Sequence, residues 1–105
     1  MRILHLTLKK KWFDMIASGE KKEEYREMTG YWIRRLLEFH NKANGDIRAQ
    51  RYDLVRFRNG YRSDSPVMDV ELVEIRIVKD GNSEWGWERE CFGIKIGKVI
   101  SISNY

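Results

Sequence analysis

The chain is poor in the residues that cross-link, kink or ligate. Its 105 residues include one cysteine, one proline and two histidines. A lone Cys91 cannot close an internal disulfide, so a reducing, cytoplasmic setting is expected. His5 and His40 lie far apart in sequence and Cys91 has no spaced partner, which leaves no zinc pattern and no metal expected. No run approaches the ~18 consecutive apolar residues of a membrane span. Residues 1–8 alternate instead of forming the apolar core of a signal peptide, so no membrane partner is expected. There is no P-loop and no G-x-G-x-x-G, and no Ser/His/Asp or Cys/His arrangement is advertised. A conventional nucleotide-cofactor enzyme is therefore not expected, and no cofactor is expected. Without a proline-rich or low-complexity stretch, residues 1–105 read as one domain with no linker.

Charge is plentiful and uneven. Lys and Arg total 20 against 16 Asp and Glu, a net charge of +4. Residues 1–52 hold 12 basic against 7 acidic residues, and residues 53–105 hold 8 against 9. A polyanion would therefore meet the N-terminal half first, although a solubilising surface would give the same totals.

Hydrophobic periodicity divides the chain into elements. Residues 2–8 place Leu4, Leu6 and Leu8 on one face, a strand pattern. Residues 9–18 change to a helical period with Trp12, Phe13 and Ile16 together, and Gly19 supplies the stop. Residues 29–40 predict a second helix, with Trp32, Ile33, Leu36 and Leu37 on its apolar side and Arg34 and Arg35 exposed. Residues 41–51, around Asn44-Gly45-Asp46, read as a loop.

Strands follow at 52–58, closed by Asn59-Gly60, and at 67–79. In the latter, Met68, Val70 and Leu72 share a face before the apolar phase slips to Val73, Ile75 and Ile77. Such a slip predicts a β-bulge that bends the strand. Phe92, Ile94, Ile96, Ile100 and Ile102 share a parity in a final strand or pair, with Gly97 near a bend. The order predicts an α+β fold around a small, partly closed β-barrel with two flanking helices.

The distinctive segment is Gly19-Glu20-Lys21-Lys22-Glu23-Glu24-Tyr25-Arg26. In an extended run Glu24 and Arg26 share a face, whereas Lys21 joins them only if the turn after Gly19 reorients it. A carboxylate accepts from exocyclic amines, a guanidinium clamps phosphate or a base edge, and a lysine adds a point charge. A buried Lys–Glu pair is also an acid–base couple. The competing reading is a solvated edge strand with surface ion pairs worth ~0–1 kcal/mol each.

Gly19-x-Lys21-x-x-Glu24-x-Arg26, set after a strand and an amphipathic helix, resembles the G-x-K-x-x-E-x-R signature of ASCH domains. The strand at 52–57, the long strand at 67–79 and the terminus at 91–102 follow in that family's order. The resemblance implies a PUA-like barrel, and a cleft beside the first helix lined by Lys21, Glu24 and Arg26 that binds RNA or a modified nucleotide. One branch of the family hydrolyses acetylated cytidine with a lysine, a threonine and a distant acid. Here Lys21 is kept but Glu24 replaces the threonine. Glu84, Glu88 and Glu90 are open alternatives for the acid, which makes Lys21 and Glu24 catalytic candidates only on a nucleoside amidohydrolase reading.

Further candidate contacts are Lys10 and Lys11 in the Lys9-Lys10-Lys11 run, Arg56 with Arg58 on one strand face, and Trp85 with Trp87 between residues 80 and 90. Tyr25, Tyr31 and Tyr61 are candidate base-stacking residues. Trp32 reads as core. A third reading is a protein-interaction module, which an exposed apolar patch without a charged cleft would favour.

Overall fold

A computed structural model describes residues 1–41, 43–79 and 90–104. The element order is β1 (Ile3–Thr7), α1 (Lys10–Ala17), β2 (Glu23–Glu27), α2 (Gly30–Leu36), β3 (Leu37–His40), β4 (Ile47–Ala49), β5 (Leu54–Arg58), β6 (Val67–Val78) and β7 (Cys91–Ser103). Five strands form one sheet in the order β1-β5-β6-β7-β2, and β3 pairs with β4 in a separate hairpin. β1 runs parallel to β5, and the other neighbours are antiparallel. The sheet curls into a half-barrel, so the fold is α+β with two helices.

The curl is written into β6 and β7. Between Val70 and Leu72 the partner moves from Val99 to Ile96, so β7 carries an extra residue there. Between Leu72 and Glu74 the partner moves only from Ile96 to Lys95, which makes Val73 the extra residue on β6. Each such bulge sharpens local twist. The slip expected near residue 73 is therefore present, but its outcome for Val73 is the reverse: Val73 is 60% exposed, while Ile75 returns to the core. Ile100 is corrected in the same way. A further register shift, where Asp69↔Ser101 gives way to Val70↔Val99, skips Ile100 and leaves it 59% exposed.

The concave face of the sheet is filled by Leu4, Leu6 and Leu8, by Val55 and Phe57, by Met68 and Val70, and by Phe92, Ile94 and Ile96. Phe13 and Ile16 of α1 and Leu36 of α2 complete the same cluster.

The expected second helix is shorter than predicted, 7 residues ending at Leu36 instead of reaching residue 40. Thr29 caps it, its hydroxyl accepting from the Trp32 N–H at 3.3 Å, but Leu37 is already extended. The chain continues as β3, because Asn41 and Gly45 close a hairpin turn onto β4. Asn41 N–H donates to the Asp46 carbonyl and Gly45 N–H to the Asn41 carbonyl, both at 2.8 Å. Gly45 adopts φ +79°, which favours glycine. Residues 47–49, expected as loop, are the returning strand.

Gly93 lies where β7 passes under Glu23 of β2 and Val78 of β6. A methyl there would sit 2.5 Å from the Glu23 carboxylate and 2.8 Å from Val78 Cγ2. Gly93→Ala should lower stability by roughly 1–3 kcal/mol through this overpacking. Urea denaturation checks it, and an unchanged midpoint would mean that β2 shifts freely.

Candidate functional site

Curling the sheet brings its two edges, β1 and β2, toward each other, and α1 bridges them in sequence. At the end of α1, Gly19 takes φ +83° and donates its N–H to the Ile16 carbonyl at 3.0 Å. The chain then doubles back, and Lys21 N–H donates to the Met15 carbonyl at 3.0 Å. This is the turn that strict alternation could not supply. It carries the Lys21 ammonium to 3.8 Å from Glu24 Oε1, and the Arg26 guanidinium approaches the same oxygen at 3.4 Å.

Lys21 and Glu24 are only 3% and 4% exposed. A solvated charged edge is thereby ruled out for this pair. The Lys21 ammonium sits over the rings of Tyr25 at 4.8 Å and Trp12 at 5.2 Å. Burial lowers its pKa from the ordinary lysine value, against the opposing pull of the Glu24 carboxylate. Glu24 Oε1 accepts the Tyr25 N–H at 2.8 Å. Oε2 is buried with no hydrogen-bond partner, a condition that ordinarily costs ~1–3 kcal/mol.

Arg26 spans the seam. It donates from NH1 to the Tyr25 carbonyl at 2.7 Å and from NH2 to the Thr7 carbonyl of β1 at 3.0 Å. Burial lowers its pKa as well, with Glu24 opposing. Its guanidinium also lies 5.4 Å from the Trp32 ring. Arg35 continues the pattern, donating from NH2 to the His5 carbonyl of β1 and lying 5.6 Å from Trp32 and 5.4 Å from Tyr31. Arg35 is therefore half-buried over the β1 edge, not an exposed helix residue. Trp32 is half-buried against the core, as its helical face implied.

A cleft of about 310 Å³ opens at this seam. Thr7, Leu8 and Lys9 form one wall, Glu24, Tyr25 and Arg26 the other, and Trp12 flanks them. Lys21 is behind this surface and reaches it through Glu24. Lys9 is the member of the Lys9-Lys10-Lys11 run that lines the cleft, and Trp12 is a cleft residue that the sequence reading placed only on the apolar helix face. The signal was present, because Trp12 follows three lysines and lies at the border of the α1 apolar face.

The other candidates are dispersed. Lys10 pairs with Asp14, and the Lys11 ammonium lies 4.7 Å from the centre of the Trp12 ring. Both flank the cleft without lining it. Arg56 is paired with Asp69 by two hydrogen bonds, at 2.7 and 2.9 Å, on the β5–β6 ladder and does not line the cleft. That pairing, with a smaller burial effect against it, holds the Asp69 carboxyl below its ordinary value. Tyr25 is buried, with its hydroxyl donating to Glu23 at 2.9 Å. Trp85, Trp87, Glu84 and Glu88 lie outside the described residues. Glu90 lines a separate hollow with His40 and Lys79. Among the described residues no group of His, Cys, Asp and Glu could hold a metal ion, and no helix is long and apolar enough to cross a membrane.

Removing one partner of a buried ion pair leaves the other charge uncompensated. Lys21→Met should cost roughly 3 kcal/mol, and the double variant Lys21→Met/Glu24→Leu less than the sum of the two single losses. Denaturation of all four proteins measures the coupling. Strict additivity would show that the pair does not interact.

The chain matches no protein-family model, no curated protein and no solved structure with which it was compared.

Proposed function

We propose that the chain binds single-stranded RNA or a modified nucleotide through the seam cleft, and that it is a cytoplasmic ASCH domain of PUA-like architecture. The observation that carries this reading is the buried Glu24 Oε2 without a partner, in a residue that lines an open cleft. A buried acceptor of this kind is satisfied by a ligand donor, and the exocyclic amine of cytosine is such a group. Lys21 and Arg26 flank Glu24 Oε1 at 3.8 and 3.4 Å, Trp12 and Tyr25 supply an aromatic wall, and Lys9 offers charge for a phosphate. An unstacked base entering a cleft is the usual mode of sequence-specific RNA recognition. The G-x-K-x-x-E-x-R spacing supports the same reading.

A second reading has one observation in its favour. Burial lowers the pKa of Lys21, which suits a proton shuttle in a nucleoside amidohydrolase. Against it, Lys21 does not line the cleft. A protein-interaction role has less support, because the exposed large apolar residues, such as Tyr61, Val73 and Ile100, are spread over different elements.

Glu24→Gln keeps the shape of the site and removes the anionic acceptor. Fluorescence anisotropy with short RNAs should show cytidine-containing strands binding more tightly than uridine-containing ones. The variant should lose roughly tenfold of that preference, as a bidentate or charged base contact is worth ~1–3 kcal/mol. Trp12→Ala should weaken binding of both by a similar factor. Equal affinity in wild type and both variants would remove the cleft from the account. Wild-type release of cytidine from N4-acetylcytidine, abolished in Lys21→Ala, would replace binding by hydrolysis.

A further inference from the structure

Most arginines among the described residues are committed to partners. Arg56 pairs with Asp69, Arg62 with Asp64 and Arg76 with Glu23, while Arg26 and Arg35 bond to β1 carbonyls. Arg34, Arg48 and Arg51 differ: all three are exposed, with no ion-pair or side-chain hydrogen-bond partner among the described residues. Of these, Arg48 and Arg51 border a hollow of about 350 Å³ with Arg2, Gln50 and Glu38, three guanidiniums against one carboxylate.

The hollow is built around a fixed arginine. Arg2 donates from NH1 to the Arg51 carbonyl at 3.0 Å and to Gln50 Oε1 at 3.4 Å, and its guanidinium stacks 4.7 Å from the Tyr52 ring. Gln50 is itself anchored, donating its N–H to the Leu36 carbonyl at 2.9 Å and its amide Nε2 to the Leu37 carbonyl at 3.3 Å. β4 and the residues just after it thus present two unengaged guanidiniums beside an immobilised third. Guanidiniums gathered around one hollow suit phosphate oxygens.

The position of the hollow matters as much as its charge. Arg2 immediately precedes β1, and the seam cleft begins at Thr7, the last residue of β1. Five residues of strand separate them by ~17 Å, which is about five stacked nucleotides at ~3.4 Å each. Along that edge lie Arg35, bonded to His5, and Tyr31, which is 52% exposed.

We propose that Arg2, Arg48 and Arg51 form a second phosphate site for the RNA strand whose base enters the seam cleft. This inference rests on the proposed seam function and narrows it: the ligand is an RNA strand of roughly four or more nucleotides, not a free nucleotide. A site of that length is within the ~4–16 nucleotides typical of small single-strand-binding folds.

The test uses the full chain, cytidine 5′-monophosphate and oligocytidylates of two to eight nucleotides. Wild type is compared with Arg48→Ala/Arg51→Ala and with Glu24→Gln across a salt series. Arg2 is left intact because it holds the Arg51 backbone. Wild-type affinity should rise tenfold or more between the dinucleotide and the hexamer. In the arginine variant that rise should disappear while monophosphate affinity is unchanged. Its log–log salt slope for the hexamer should fall by about 1.4, the value for two lost phosphate contacts on a single strand. A length dependence and slope identical to wild type would overturn the second site, with Glu24-dependent monophosphate binding leaving the seam reading intact. Absence of wild-type binding to monophosphate and hexamer alike would overturn both.

Discussion

The account turns on the open seam of a sheet that curls but does not close. An edge strand leaves a row of backbone groups without ladder partners, and buried backbone acceptors must be satisfied. Here β1 and β2 are the two edges, and guanidiniums stand where a closing strand would be. Arg26 takes the Thr7 carbonyl and Arg35 the His5 carbonyl, with Trp32 close to both guanidiniums. A closing strand would seal this gap. Side chains instead leave room between their attachments, and the cleft occupies that room.

Once Arg26 is set into the seam, its neighbours follow electrostatically. A guanidinium with little access to water calls for a counter-charge, and Glu24 supplies it at 3.4 Å. Glu24 is buried in turn, and Lys21 adds a second cation at 3.8 Å under the faces of Tyr25 and Trp12. Two cations around one carboxylate offset the cost of burying its charge. The arrangement leaves one carboxylate oxygen without a protein partner. Structural pairing alone would more economically satisfy both oxygens. A buried acceptor left unsatisfied behind a cleft calls for an explanation, and the proposed ligand donor is one.

Much of this was legible in the residues. The alternation of Leu4, Leu6 and Leu8, the helical face of Phe13 and Ile16, and the G-x-K-x-x-E-x-R run marked β1, α1 and the members of the Lys21–Glu24–Arg26 cluster. The phase slip near Val73 announced the bulge that bends β6. Less visible were features decided by tertiary pairing. Leu37 fits the apolar side of a helix, yet the Asn41–Gly45 turn recruits it into a hairpin. Ile100 keeps the parity of the core, but a register shift turns it outward. The convergence of Lys21 on Glu24 depends on the φ of Gly19 and one hydrogen bond to Met15, which no two-residue period encodes. Arg56 looked available on its strand face because its partner, Asp69, lies on the next strand of the ladder.

The most direct test of the central claim is a nuclear magnetic resonance titration of the full chain with cytidine 5′-monophosphate, observing side-chain signals. The account predicts saturable shifts of the Trp12 indole N–H, the Tyr25 amide and the Arg26 Nε–H, while the Arg56 Nε–H, locked on Asp69, stays fixed. Shifts confined to exposed lysines, or none at all at millimolar nucleotide, would contradict a ligand seated in the seam.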